Sequence, residues 1–310
     1  MSGRGSAKPA IALVTVHAAR ALDEDLPPLQ AALLAAGAQV QIVDWDDPAA
    51  CWSQFDLALL RSTWDYTERL HEFLNWTERV SRLTTLRNSA QTIRWNTDKH
   101  YLDELHRAGV AVVPSVFVDP PEEGARGVER FLARFPTSEF VVKPAVGAGS
   151  RDTLRLNRAD VAAAHAQRLL NANRSVLLQP YLDRVDDYGE TALIFFDGRF
   201  SHAIRKGPML GPAAAAAPLS NNNGLFVSED ITPRVPAADE LQVAQAVLAT
   251  IPCEVPLYAR VDLIRDQAGA PVLLELELTE PSLFFAQAPG AAERLAQAVT
   301  EHLIPLQFRT

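Results

Sequence analysis

The chain has 310 residues, 48% hydrophobic and 22% charged, which is ordinary for a soluble globular protein and long enough for two or three domains with their own cores. A formal charge of -9 argues against a broad nucleic-acid or anionic-membrane surface, so any bound anion is expected to be held locally. Cys51 and Cys253 match neither a disulfide framework nor a zinc site, and no run resembles a signal peptide or a membrane span, which points to the cytoplasm.

The first part reads as α/β. Strands are predicted over 11–16, 40–43 and 57–61, with a helix over 27–36. The third strand runs into Arg61-Ser62-Thr63-Trp64-Asp65-Tyr66. Ligands of open α/β sheets collect at the carboxyl ends of strands. That location suits Arg61 to clamp a carboxylate, Asp65 to hold an amine, and Ser62 and Thr63 to supply hydroxyls. The competing reading is a turn before a helix over 68–82, and for Trp64 and Tyr66 packing in the core is preferred.

A second region begins near residue 88. Thr97 suits the N-cap of a helix over 98–107 that ends at Gly109. Lys99 then sits in the first turn, where a cation opposes the helix dipole; a lysine reaching toward an anion would explain this, and a surface lysine is the plainer alternative. The strand over 139–144 (EFVVKP) carries Lys143 just before Ala-Val-Gly-Ala-Gly-Ser-Arg. Gly147 and Gly149 let backbone N–H groups approach a phosphate, and Ser150 adds a hydroxyl. The loop is neither a Walker motif nor a dinucleotide fingerprint, because 153–156 reads extended again and Asp152 stands where a third glycine belongs.

A helix over 159–170 precedes the strand SVLLQPYL over 175–182. Proline cannot donate to a ladder, so the Pro180 carbonyl and the Leu182 N–H are candidates to pair with a flat heterocycle. Asp186, Asp187 and Glu190 are candidates for ribose hydroxyls, Glu190 first among them because it leads a strand. Strands over 191–196 and 200–206 flank an Asp197-Gly198 turn. The long loop over 207–224 reads as a mobile closure over a site.

The stretch over 258–281 has two alternating runs around Asp-Gln-Ala-Gly, the pattern of a β-hairpin. Successive side chains in a strand point to opposite faces, so Arg260 and Asp262 share one face and Glu275 and Glu277 share one face of the next strand. Val261, Leu263, Leu274, Leu276 and Leu278 are expected in the core. Neighbouring carboxylates repel, and a divalent cation with oxygen ligands, Mg2+, would remove the repulsion; a solvated face balanced by Arg260 and Arg265 is the alternative.

In order, Lys99, VVKP with its glycine loop, LLQPYL, Glu190, Arg205, Arg-x-Asp and Glu-x-Glu resemble the ATP-grasp superfamily, in the branch of glutathione synthetase and D-alanine-D-alanine ligase. The resemblance spans 88–281, and RSTWDY and DEDLPPL are further similar to the D-cycloserine synthetases, which are O-ureido-D-serine cyclo-ligases. It implies an α/β fold with an N-terminal α/β domain (1–88), a small ATP-binding lobe (89–182) and a C-terminal metal-binding lobe (183–310) that clasp the nucleotide. Lys99 and Lys143 would hold phosphates under the loop Gly147, Gly149, Ser150. Gln179, Pro180, Tyr181 and Leu182 would face adenine, and Glu190 the ribose. Asp262, Glu275 and Glu277 would hold Mg2+, while Arg205 and Arg260 neutralise the transferring phosphoryl group. Where the family usually ends in Glu-x-Asn, this chain has Glu275-Leu276-Glu277, and the third carboxylate should tighten Mg2+ or change the number of ions.

The implied chemistry is ATP-dependent activation of a carboxylate for attack by nitrogen on a small amino-acid-like substrate, within one molecule for antibiotic biosynthesis or between two. Neither nucleic acid nor membrane is an expected partner, and a homodimer is compatible with this reading. A nicotinamide oxidoreductase should open with a glycine fingerprint after its first strand, which Val16-His17-Ala18-Ala19-Arg20 lacks. A non-catalytic ATP-binding protein should lack the metal acids or arginines that are all present here.

Overall fold

The computed structural model describes residues 8–211, 213 and 230–303. The predicted closure over 207–224 therefore lies largely outside the described residues.

Three sheets follow one another along the chain. The first is parallel and contains β1 (Ala10–Thr15), β2 (Gln39–Asp44), β3 (Leu57–Ser62) and β4 (Thr85–Arg87) in the order β2-β1-β3-β4. β1 and β3 are apolar runs buried almost throughout, as strands covered by helices on both faces must be. One face packs Ile11 and Leu13 with α1 (Leu26–Ala35) and, from the far end of the chain, Leu295 and Val299 of α9 (Ala291–Leu303). The opposite face holds an aromatic cluster of Trp45, Trp52, Phe73 and Trp76, the last two from α2 (Leu70–Val80).

The second sheet is antiparallel, with β5 (Val116–Val118), β6 (Phe140–Pro144), β7 (Leu154–Leu156) and β8 (Val176–Pro180) in the order β5-β8-β6-β7. α5 (Gly124–Arg134) and α6 (Ala159–Asn171) cover one face through Val128, Phe131, Ala166 and Leu169. Gly127 lets α5 lie tightly on β5, since a Cβ there would stand 2.3 Å from Val118 Cγ2.

The third sheet, also antiparallel, contains β9 (Glu190–Phe196), β10 (Arg199–Lys206), β11 (Ile231–Arg234), β12 (Tyr258–Arg265) and β13 (Pro271–Glu277) in the order β11-β10-β9-β12-β13. α7 (Arg184–Tyr188) leads into it, and α8 (Ala238–Thr250) packs on it through Ala244 and Val247. The predicted hairpin forms, with the Asp266 N–H on Ala270 O at 2.9 Å and Gly269 at φ +86° in the left-handed region. Its register slips between Asp262 and Leu263. That bulge corrects the expectation for Leu274, which joins Val113, Leu182 and Ile264 in a small separate cluster rather than the core that holds Leu276 and Leu278.

Two short helices, α3 (Ala90–Asn96) and α4 (Tyr101–Arg107), join the first sheet to the second. Ser89 caps α3, accepting the Thr92 N–H at 3.2 Å. Thr97 closes α3 instead of opening the next helix, and its N–H bonds to Ile93 O at 2.9 Å. Lys99 thus lies in the turn between the helices. The Lys99 N–H bonds to Ala145 O at 3.0 Å, which ties this turn to the end of β6 and prevents the longer helix that the sequence suggests.

α4 packs in the core of the third sheet through Tyr101, Leu102 and Leu105, while α3 sets Ile93 against the aromatic cluster of the first sheet and turns Trp95 and Asn96 to the third. Asn96 donates to Leu276 O at 2.7 Å and accepts the Leu278 N–H at 2.7 Å, while the Leu276 N–H bonds to the Tyr101 hydroxyl at 2.9 Å. Further along β13, Leu273 exchanges bonds with Ala111 O at 2.8 Å and the Val113 N–H at 2.9 Å. The outer edge of the strand that carries both glutamates is therefore covered.

Candidate active site

A cavity of about 590 Å3 opens where the three sheets meet, a size suited to a nucleotide-sized ligand. The second sheet contributes Lys143, Gln179, Pro180, Tyr181, Leu182 and the loop Gly147, Gly149, Ser150. The third contributes Glu190, Lys206, Arg260, Asp262, Glu275 and Glu277, and the α3–α4 turn contributes Lys99. Residues far apart in the chain thus share one cleft.

Its apolar end is walled by Val113, Val141, Leu182, Val185, Ile264 and Leu274. Ile264 comes from the same face as Arg260 and Asp262, and the bulge brings Leu274 beside it. Tyr181 is held in place: the Arg155 guanidinium lies 3.5 Å from its ring centre, its hydroxyl bonds to Asp186, and its N–H bonds to Glu139 O at 2.9 Å. Gln179 donates to the Ser115 hydroxyl at 3.0 Å.

Beyond this end lies the glycine loop. Gly149, Ser150 and Asp152 take φ values of +61°, +56° and +59°, so three positions use the left-handed region. Asp152 tolerates it because Arg168 and Arg174 grip its carboxylate at 2.8 and 2.6 Å. The Lys99 ammonium donates to Gly147 O at 2.9 Å and lies 3.0 Å from Glu275. Burial pulls Lys143 below the ordinary lysine value, against the attraction of Glu275.

The acids share a face, and each is drawn to a cation, some of them shared. Lys206 lies 2.8 Å from Asp262 and 2.7 Å from Glu190, Arg260 bonds to Asp262 at 2.9 Å, and the same guanidinium bonds to Glu277. Burial works upward on Asp262, yet Arg260 and Lys206 hold it well below the usual carboxylate range. For Glu275 burial again works upward, and Lys99 and Lys143 prevail. Burial wins at Glu190 and Glu277, each pushed up to about 7. Among the described residues no three His, Cys, Asp or Glu side chains are gathered so as to hold a metal by themselves. Asp262 and Glu275 do face each other across β12 and β13, a hard-oxygen pair open to the cavity. Such a pair fits Mg2+ whose remaining ligands are phosphate oxygens and water.

Two expectations end elsewhere. Arg205 alternates with Lys206 and lies on the other face of β10, bonded to Tyr188 O at 3.1 Å, Asp187 O at 3.3 Å and Asp230 at 3.3 Å. The cation that β10 turns into the cavity is Lys206. Arg61 is 1% exposed and does not line the cavity. It donates to Pro281 O at 3.2 Å and sits 3.6 Å from Asp25 and 3.8 Å from Asp23. Ser62 shares a 2.7 Å bond with Thr15, Thr63 is buried, and Asp65 accepts the Trp45 indole N–H at 2.9 Å and Arg69 at 3.1 Å. The segment does reach the cavity, through Trp64 and Tyr66, which belong at once to the aromatic core and to the cavity wall.

Neither Lys206 nor Glu280 stands out in the sequence as a site residue. Strand alternation and the pairing of Lys206 with Glu190 in the β10–β9 register would identify the first. Glu280, 7% exposed, lies three residues past Glu277 in a turn that no period describes. Burial, with the charge of Glu277 adding, pushes it up to about 8.

Residues 11–88 match the family described as the N-terminal domain of D-cycloserine synthetase DcsG. Over 299 residues the chain is 41% identical to the cycloserine biosynthesis protein DcsG of Streptomyces lavendulae, covering 95% of this chain and 99% of that one. The crystal structure of D-cycloserine synthetase DcsG is similar with a TM-score of 0.88 and 40% identity, over 95% of this chain and 100% of the other. D-alanine-D-alanine ligase from Bacillus anthracis, at 16% identity, shares the fold with a TM-score of 0.70, over 96% and 97% of the two chains. Identity at this level over nearly the full length of both chains, on a fold shared with ATP-grasp ligases, shows that this chain belongs to the DcsG family.

Proposed function

We propose that this protein is an ATP- and Mg2+-dependent ligase that cyclises O-ureido-D-serine to D-cycloserine. The observation that carries this reading is the 41% identity to a cycloserine biosynthesis protein across 95% of the chain. The cleft supports it. ATP supplies the phosphoryl group that activates the substrate carboxylate; the oxygen-bound nitrogen of the ureido group of the same molecule then displaces phosphate to close the ring, and the carbamoyl group it carries is released by water as carbon dioxide and ammonia.

The apolar end, with Gln179 and the Pro180–Leu182 edge, takes the adenine, and Lys99, Lys143 and the loop at Gly147, Gly149 and Ser150 hold the phosphates. Asp262, Glu275 and Glu277 offer oxygen ligands to Mg2+. Lys99 and Arg260, which now balance these acids, are then available to phosphate oxygens. Lys206, in the place expected for Arg205, keeps Asp262 and the adjacent Glu190 in position. Phosphoryl transfer needs this kind of help, cations and positioning, more than covalent participation by the protein. Ring closure needs little else once both ends of one substrate are held close.

The test is incubation of the purified protein with O-ureido-D-serine, ATP and Mg2+. D-cycloserine and ADP in equal amounts, both abolished by EDTA, are the expected products. ADP formed only when a second amine is added would instead identify an intermolecular carboxylate-amine ligase.

A further inference from the structure

The buried carboxylates that line the cavity differ in one respect. Among the described residues, Asp23 and Asp25 lie within 4 Å of Arg61, Glu190 of Lys206, and Asp262 of both Lys206 and Arg260. The half-buried Glu275 and Glu277 have Lys99 and Arg260. Glu280, more than nine-tenths buried, has no cation at that distance. Its carboxylate interacts with the Tyr66 hydroxyl, and its own carbonyl accepts the Trp64 indole N–H at 3.2 Å. Trp64, Tyr66 and Glu280 form one wall of the cavity, next to Glu277.

We propose that Glu280 is the anchor for the α-ammonium group of the substrate, with Tyr66 orienting its carboxylate. The inference rests on the ligase reading, in which the substrate is a free amino acid. In such a substrate the ammonium is carried by the carbon next to the reacting carboxylate. Its subsite must therefore adjoin the phosphoryl-transfer centre and carry the opposite charge. Glu280 meets both conditions, since it neighbours Glu277 and lies in the same cavity. A buried acid without a counter-ion is costly, and a ligand ammonium relieves that cost only when it is bound. The carboxylates nearer the phosphate end are already balanced by lysine and arginine, which leaves Glu280 to select for a positive charge.

The experiment compares O-ureido-D-serine with 3-(ureidooxy)propanoate, which lacks the amino group, in the wild type and in Glu280→Gln, by ADP release. The glutamine keeps the shape and the Tyr66 contact but loses the charge. Glu280→Gln should raise the KM for O-ureido-D-serine roughly 30- to 100-fold. It should leave kcat within about threefold and the KM for ATP unchanged, and treat the des-amino analogue as the wild type does. Glu280→Asp, which keeps the charge, should retain the preference for the amino substrate and shows whether the fold survives changes at this position. Equal losses on both substrates, or a fall in kcat with KM untouched, would overturn the assignment. If O-ureido-D-serine releases no ADP from the wild type, the cyclisation reading fails by itself. The anchor is then judged by calorimetry, in which D-serine but not 3-hydroxypropanoate should bind the wild type and neither should bind Glu280→Gln.

Discussion

At Asp262 two cations, Lys206 at 2.8 Å and Arg260 at 2.9 Å, overcome burial and keep the carboxyl ionised, whereas Glu277 and Glu280, less well compensated, are pushed up to about 7 and about 8. One face thus holds acids poised for different work. Glu275 is held ionised by Lys99 and Lys143 and faces Asp262, which makes it the better metal ligand. Glu275→Gln should reduce ADP formation at least about 100-fold with an unchanged circular dichroism spectrum. Near-normal turnover in a folded variant would remove the metal role. For Glu280 the sign of the linkage is definite. Its pKa in the folded protein, about 8, lies above the ordinary 4.5, so the native state binds the proton more tightly and loses that advantage as pH rises from 4.5 to 8. Without ligands, Glu280→Gln should therefore raise the melting temperature by roughly 3–6 °C at pH 8 and by less than about 1 °C at pH 5. A gain independent of pH would contradict the buried, uncompensated carboxylate.

Among the elements, β13 sets the geometry of the site although it lies at the edge of its sheet. An edge strand presents unpaired backbone groups, and here Asn96, Tyr101 and residues 111–113 satisfy them. The side-chain amide of Asn96 bonds to Leu276 and Leu278, on either side of Glu277. Asn96→Leu would leave a buried carbonyl and a buried N–H without partners. It should cost about 2–4 kcal/mol in denaturant unfolding and lower turnover together with stability. A loss of activity at full stability would mean that Asn96 acts on the reaction directly. A second inter-element tie is Asp25, which accepts the N–H groups of Leu283, Phe284 and Phe285 at 2.6, 3.1 and 2.8 Å. It fixes the turn just beyond Glu280 against the first sheet, and this contact together with Arg61 on Pro281 O gives the start of the chain a hold on the site.

Over the whole molecule, the cleft exists because three sheets that fold from successive stretches of chain turn their polar edges toward one volume. Lys143 belongs to the second sheet, while Glu275, which attracts it, belongs to the third. A ligand held between them links two lobes, so binding should register as global stabilisation. ATP with Mg2+ should raise the melting temperature of the wild type. Lys143→Ala should weaken ATP binding at least about tenfold by calorimetry and diminish that rise. An unaltered affinity would place the nucleotide elsewhere.

The sequence by itself determined what depends on local period and on residue chemistry. Alternation over 258–281 was enough to place Arg260, Asp262, Glu275 and Glu277 on one face, and the glycines after Lys143 marked a loop whose backbone N–H groups could approach an anion. Strands β4, β5 and β11, three or four residues long, are too short to show any period. Tertiary structure decided the rest. One bulge moved Leu274 from the core to the cavity, one backbone bond from Lys99 to Ala145 replaced a helix start with a turn, and strand parity gave the cavity Lys206 in place of Arg205. The 3-10 turn that follows β3 presented Trp64 and Tyr66 where Arg61 and Asp65 were expected. The physical reason is that contacts with distant parts of the chain, which no local pattern records, decide where an element starts and, in a strand, a shift of a single residue reverses the direction of a side chain.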